Sequence, residues 1–331
     1  MGAKVAGETV SGAAIEADGL TRYYGERAAA DRVTFSVGRG EIFGFLGPNG
    51  AGKSTTARML TGFLAPSEGS VRLAGIDMAK DPTAARELIG IVPEEANVYA
   101  DLTVWQNVML MAELHHVGRR RRTERGTELL DLFGLGDRRS QRGRELSKGL
   151  RQRLMLCGAL VSDPDILFLD EPTSGLDVAS AHMIRDIVVR LNRQRAMTVF
   201  ITTHNIEEAG NLCHRVGIID RGRLVAIGTP QHLRSTVESR RSVEVRFEGA
   251  TILPGDLLEG LAAAEVAPLA DGFRVYTAQP GPLAQEIATR ASARGLHLIA
   301  LSTQAPSLED VFLHITTHGL TPREEIAHVG G

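Results

Sequence analysis

Val33-Thr-Phe-Ser-Val37 alternates apolar and polar residues, the period of a strand with one buried face, and it follows a first extended stretch from Ile15 to Tyr24. Glu41-Ile-Phe-Gly-Phe-Leu46 predicts another strand, with a helix over Thr55 to Thr61. Ser70-Val-Arg-Leu73 and Ile89-Gly-Ile-Val92 predict two more strands. The rhythm then changes: Val104, Val108, Met111 and Leu114 recur at helical spacing within Val104 to His116, and Thr123 to Phe133 repeats the pattern. Strand character returns with Ile166-Leu-Phe-Leu169, a continuous apolar run of the kind buried on both faces of a parallel sheet. Thr198 to Thr202, Val216 to Asp220 and Arg223 to Ile227 follow, with Arg221-Gly222 as a turn. The pattern predicts an α/β domain over 15–235 with a helical insertion at about 94–147.

Gln231 to Arg241 is polar and charged and reads as a linker. Beyond it the order is strand (Ser242–Phe247), helix (Asp256–Ala264), strands (Glu265–Leu269 and Phe273–Thr277), helix (Pro282–Arg294) and strand (His297–Ser302). That is the order of a ferredoxin-like α+β sandwich, here expected over 236–318 with a short last helix from Ser307 to Ile315. Residues 1–14 and 319–331 read as loose tails. The 331 residues suit one large and one smaller domain.

Composition narrows the class. A net charge of −3 gives no reason to expect a nucleic-acid partner, and no apolar run approaches the roughly 18 residues of a membrane span. The N-terminus lacks the apolar core of a signal peptide. Cys157 and Cys213 show neither metal nor disulfide spacing, which suits a reducing compartment and a cytoplasmic protein. The basic run Arg119 to Arg122 reads as a solvated loop.

One stretch carries specific chemistry. Gly47-Pro48-Asn49-Gly50-Ala51-Gly52-Lys53-Ser54-Thr55 fits G-x-x-x-x-G-K-[ST], between a predicted strand and a predicted helix. Glycines let successive N–H groups turn toward one anion, Lys53 reaches the β/γ-phosphates, and the Ser54 hydroxyl is placed to ligate Mg²⁺. Asp170, at the end of the buried apolar strand, is placed as the second Mg²⁺ anchor, and Glu171 as a general base for water. Tyr24 is an aromatic upstream of the loop; position alone leaves open base stacking and an ordinary strand tyrosine.

The phosphate loop, Leu146-Ser-Lys-Gly-Leu-Arg-Gln152, ILFLDEPTSGLD (166–177) and His204 occur in this order, and together they resemble the ATP-binding subunit of ABC transporters, a P-loop NTPase. The resemblance covers about residues 15–235. It implies ATP and Mg²⁺ as ligands and a head-to-tail dimer with a second copy or a paralogous subunit. Leu146 to Leu150 matches the family signature, in which Ser147 and Gly149 contact the γ-phosphate held by the other subunit; Lys148 and Leu150 depart from it. Ser147 is placed to cap a helix whose N-terminus suits an anion. Asp177 matches the loop that crosses the dimer interface, His204 the histidine that holds the γ-phosphate and water, and Tyr24 the aromatic that stacks on adenine. Glu94 stands where relatives usually carry a glutamine. The expectation is that it serves Mg²⁺ as a carboxylate, directly or through water, the competing arrangement being Glu95 facing the site.

Ser307-Leu-Glu-Asp-Val-Phe-Leu313 resembles the C-terminus of the drug- and lipid-exporting branch, whose subunits serve a separate six-helix permease. That resemblance implies a protein held at the inner face of the cell membrane through its permease. Val98, Tyr99, Leu102 and Trp105 lie where relatives receive a permease helix, although Val98 and Leu102 equally suit the insertion's own core. A soluble ABC ATPase acting on ribosomes or DNA is the alternative. Such proteins carry two cassettes or a long coiled-coil insertion, neither of which is present, and no N-K-x-D guanine signature supports a GTPase.

Overall fold

The computed structural model describes residues 12–95, 97–236, 241–248, 254–261 and 265–318. The chain divides into two compact units, Met1–Val225 and Ala226–Gly331.

In the first unit, β1 (Ala13–Tyr24), β2 (Arg27–Gly38), β4 (Glu68–Leu73) and β5 (Ile76–Asp77) form an antiparallel sheet in the order β2-β1-β4-β5. A second sheet is built from β3 (Ile42–Leu46), β6 (Ile89–Val92), β7 (Ile166–Asp170), β8 (Thr198–Thr203), β9 (Arg215–Asp220) and β10 (Arg223–Gly228), in the order β10-β9-β3-β8-β7-β6. The pairs β9-β3, β3-β8, β8-β7 and β7-β6 are parallel. Every residue of β3 and β8 is buried, which explains the unbroken apolar run of β3 and the Val199-Phe-Ile201 centre of β8. The two sheets meet through phenylalanines. Phe35 of β2 stacks on Phe43 at 5.3 Å between ring centroids, Phe43 on Phe200 at 5.9 Å, and Phe168 approaches Phe200 at 5.5 Å. Phe200 is 1% exposed. Phe200→Ala is expected to cost about 3–5 kcal/mol in denaturant unfolding, because neighbours in two sheets cannot all close on the cavity; a loss below about 1 kcal/mol would place Phe200 outside the core.

The insertion carries α3 (Val104–Leu114) and α4 (Arg119–Leu132) and leads into α5 (Lys148–Leu160). A capping box starts α3: Gln106 N donates to Thr103 Oγ1 at 3.1 Å, and Thr103 N to Gln106 Oε1 at 2.9 Å. The run Arg119 to Arg122, expected as a loop, is instead the first turn of α4. Arginine favours helix, and Arg120 meets Glu124 one turn on at 2.9 Å. Arg119 to Arg121 are exposed, so the charges are solvated as expected although the backbone is not a loop. Three helices were not anticipated at all: α2 (Pro82–Glu87), α6 (Val178–Arg195) and α7 (Ile206–Leu212).

The second unit opens with α8 (Pro230–Thr236), where the sequence suggested a linker. Proline at its start and His232 N donating to Thr229 Oγ1 at 3.1 Å account for the helix. Then come β11 (Ser242–Phe247), α9 (Pro254–Leu258), β12 (Glu265–Leu269), β13 (Gly272–Tyr276), α10 (Pro280–Ala293), β14 (Leu298–Gln304) and α11 (Leu308–His318). The sheet order β12-β13-β11-β14, antiparallel throughout, is that of a ferredoxin-like sandwich. Val243, Val245, Phe247, Phe273 and Val275 point from it onto Leu257, Leu283 and Ile287. The helix expected from Asp256 to Ala264 begins earlier and ends at Leu258, and 262–264 lie outside the described residues, as do 1–11 and 319–331 of the expected tails.

Candidate nucleotide site

The site is laid out where β3, β7 and β8 end together. β3 runs straight into the phosphate loop, and two of the loop's glycines are sterically required. A side chain at Gly47 would meet the backbone oxygen of Ile219 at 2.5 Å; at Gly52, with φ 109°, it would run into that of Ala29. Helix α1 (Lys53–Leu60) begins directly after Gly52 with no acidic residue in its first turn, so its free N–H groups and dipole face the loop uncompensated. Lys53, 6% exposed, folds back over the loop. Its Nζ donates to Gly47 O at 2.8 Å and Pro48 O at 3.3 Å, and lies 3.2 Å from Glu171 Oε1.

Asp170 closes β7. Its Oδ1 accepts from Ser54 Oγ at 3.4 Å and from the Thr202 hydroxyl of neighbouring β8. A hydroxyl and a carboxylate so close form a hard-oxygen pair of the kind Mg²⁺ takes from a protein, leaving phosphates and water for the other positions. The chain then turns sharply. Glu171 adopts φ 48°, left-handed and costly for a residue with a side chain. Its amide is fixed by donating to Thr202 O at 3.0 Å and Thr202 Oγ1 at 3.2 Å. The turn aims the Glu171 carboxylate between two cations or dipoles rather than along the strand. It is 7% exposed, beside Lys53 on one side and 2.8 Å from His204 Nδ1 on the other, and it also accepts from His204 N at 3.3 Å. A carboxylate can only accept, so Nδ1 carries the proton and Nε2 remains for other partners.

Glu171, His204 and Ser174 face a cleft of about 560 Å³ whose other wall is the loop residues Pro48, Asn49, Gly50, Gly52, Lys53, Ser54 and Thr55. Glu94, exposed after β6, lines this cleft as well. Glu94 and Glu95 both line the adjoining cavity, which passes Ser54 and Asp170 and reaches Phe63. The remaining sequence candidates lie elsewhere. Tyr24 ends β1, half-exposed, with the Arg22 guanidinium 5.2 Å over its ring, a cation–π contact. Ser147 caps α5, its Oγ accepting from Leu150 N at 3.3 Å. Gly149 packs closely on α6, since a Cβ there would stand 2.7 Å from Ser180 Oγ and displace that hydroxyl. Asp177 caps α6 by accepting from Ser180 N at 2.8 Å and Ser180 Oγ at 2.8 Å; those bonds hold its carboxyl below the usual range. Ser180 thus brings Gly149 and Asp177 into one patch, and Ser147, Gly149 and Asp177 do not line the cleft that Lys53 and Ser174 share.

Sequence reasoning missed Thr202, the hydroxyl that orients both Asp170 and Glu171. Its signal was available: Thr202-Thr203 directly before His204, polar residues at the end of an otherwise apolar buried strand. Among the described residues no helix is long and apolar enough to cross a membrane.

Residues 30–174 match the ABC transporter family. The chain is 36% identical to the Nod factor export ATP-binding protein I of Paraburkholderia xenovorans, over 92% of this chain and 97% of that protein. It is 36% identical to a daunorubicin/doxorubicin resistance ATP-binding protein of Streptomyces peucetius, over 92% and 93%. For a linearmycin resistance ATP-binding protein of Bacillus subtilis the identity is 32%, over 91% and 98%. Among solved structures, a dimeric bacterial ABC transporter cassette superimposes with a TM-score of 0.61 at 28% identity, covering 65% of this chain and 98% of that one. The same cassette in a post-hydrolysis state with ADP and Pi gives 0.60 at 26%, with the same coverage. The chain belongs to the ABC transporter family, as one of its ATP-binding and ATP-hydrolysing subunits.

Proposed function

We propose that two copies of this chain close over MgATP and thereby drive export of a substrate through a separate integral-membrane permease, which holds them at the inner face of the membrane. The observation that carries the catalytic part is the Glu171 carboxylate, fixed between Lys53 and His204 at the lip of the phosphate loop. The loop amides and the α1 N-terminus bind the phosphates, and Lys53 exchanges its carbonyl partners for β/γ-oxygens. Glu171 takes the proton of the attacking water while His204, oriented by Glu171 through Nδ1, positions that water against the γ-phosphate. Ser54 and Asp170 hold Mg²⁺, which supplies neutralisation of phosphate charge. Such a reaction is mostly positioning and electrostatics, so an incomplete constellation is idle. Ser147 and Gly149, lying outside the chain's own cleft, are assigned to the partner's γ-phosphate, with Asp177 on the shared interface and Tyr24 against adenine. Export, rather than action on ribosomes or DNA, is supported by the export and resistance proteins that this chain matches nearly end to end.

Glu94 is assigned to Mg²⁺ because it lines both the phosphate-loop cleft and the adjoining cavity that passes Ser54 and Asp170, whereas Glu95 lines the second of these. Glu94→Gln is expected to stay within about tenfold of wild-type ATPase activity at saturating Mg²⁺ but to need more Mg²⁺ to reach it, because a charge-assisted contact is lost. Glu94→Ala should need more still. Identical Mg²⁺ titrations for all three proteins would remove Glu94 from the site. Tyr99, 50% exposed beside the apolar cavity between β6, α3 and α5, is the side chain assigned to the permease contact; co-purification of Tyr99→Ala with the permease, undiminished, would exclude it.

A further inference from the structure

Beneath the Glu171–His204 pair lies a second acidic residue that the reaction does not use. Glu208, on the first turn of α7, is 2% exposed. Both its carboxylate oxygens accept from Thr173 Oγ1 at 2.9 Å, and Oε2 also accepts from Thr203 Oγ1 at 3.3 Å. Thr173 lies two residues after Glu171, and Thr203 immediately precedes His204. Thr203 Oγ1 in turn accepts from Asn205 N at 2.9 Å, and Asn205 caps α7 by accepting from Glu208 N at 3.0 Å. The two loops that carry the reacting side chains are therefore joined from below through one carboxylate.

That carboxylate is held at a cost. Burial pushes its carboxyl above the usual range, and the nearby Glu171 charge acts in the same direction. Its nearest cation, Arg185 Nε of α6, stands 3.9 Å away, too far for a hydrogen bond. An acid with a raised folded pKa favours the folded state at pH values below its unfolded pKa and loses that contribution as pH rises through the folded value. The helix-dipole benefit of an acidic residue in this first turn is already available from exposed Glu207 beside it.

We propose that Glu208 is a positioning residue for ATP hydrolysis: by tying Thr173 to Thr203 it fixes the separation and angle of Glu171 and His204. The proposal rests on the assignment of Glu171 as base and adds the group that aims it. Misplacing a reacting group by about 1 Å costs on the order of 10²-fold in rate, whereas phosphate binding rests on the loop amides and Lys53, which Glu208 does not touch.

The test compares Glu208→Ala, Glu208→Gln, Thr173→Val and the control Glu207→Gln in the full-length chain, reading kcat, KM for ATP and Tm. Glu208→Ala and Thr173→Val are expected to lower kcat by about tenfold or more with KM within about twofold, since only the aim is disturbed. Glu208→Gln, which keeps an acceptor oxygen for Thr173, should recover part of kcat with a Tm close to wild type. Glu207→Gln should match wild type. If Glu208→Ala does not fold, Thr173→Val, nearly isosteric, decides alone. A folded Thr173→Val or Glu208→Ala protein with unchanged kcat, or one whose KM rises as its kcat falls, overturns the proposal. Should Glu171→Gln itself retain turnover, the base assignment fails; should Glu171→Gln be inactive while these variants are normal, only the role of Glu208 fails.

Discussion

Glu171→Gln is expected to bind ATP about as well as wild type and to turn over about 10²–10⁴-fold more slowly, the range for loss of a general base. Glutamine preserves the shape of the side chain and its bond from His204, but it has no oxygen that takes a proton from water. Affinity should survive because the loop amides, the α1 N-terminus and Lys53 are the groups assigned to the phosphates, and the substitution leaves them in place. A second consequence follows from the buried Lys53–Glu171 pair. Removing one member of a buried ion pair leaves the other uncompensated, at about 3–5 kcal/mol, so the nucleotide-free variant is destabilised. ATP supplies new anionic partners for Lys53. Thermal unfolding should accordingly show a larger ATP-induced rise in Tm for Glu171→Gln than for wild type. Turnover near wild type in the purified variant would remove Glu171 from the base position.

Ser147→Arg should abolish hydrolysis while leaving ATP binding to the single chain almost unchanged, because Ser147 caps α5 outside the cleft lined by Lys53. Arginine there loses the cap and adds bulk at the helix N-terminus assigned to the partner's site. Lys53→Ala fails in the opposite way, with an intact signature and a crippled phosphate loop. Mixed together, the two inactive proteins form dimers in which one site has both a sound loop and a sound signature. Random pairing into symmetric dimers with independent sites predicts roughly a quarter of wild-type activity in an equimolar mixture. Strict coupling of the two sites would hold the mixture at zero, and a monomeric origin of activity would give no more than the sum of the separate variants. Activity in Ser147→Arg alone would refute the shared site.

Much of this site is local in sequence and so was readable there. Gly47 to Thr55 is contiguous, and its glycines answer to neighbours such as Ile219 O and Ala29 O only in detail. Asp170 and Glu171 stood out because four buried apolar residues precede them. What the sequence withheld depends on strand neighbours. That Thr202 serves Asp170 follows from β7 pairing with β8 in a register that sets the two side by side. That Glu208 reaches Thr173 depends likewise on α7 following β8, the strand paired with β7. Helix α6 is capped by Asp177, a residue whose match to the interface loop carries no helical signal of its own. The Arg119 to Arg122 run misled because charge density suggested solvent, and solvent exposure was equated with loop. In the fold the same charges sit on a helix whose fifth arginine, Arg125, is buried 2.8 Å from Asp163.

If ATP is enclosed between two copies of the chain, the mass of the Glu171→Gln protein in solution reports it most directly. With hydrolysis stopped, the closed state should persist. Size-exclusion chromatography with light scattering is expected to give twice 35.6 kDa in MgATP, with ATP bound one per chain, and to return to 35.6 kDa when nucleotide is removed. A Glu171→Gln protein that binds ATP and remains at 35.6 kDa over the same concentration range would contradict the account.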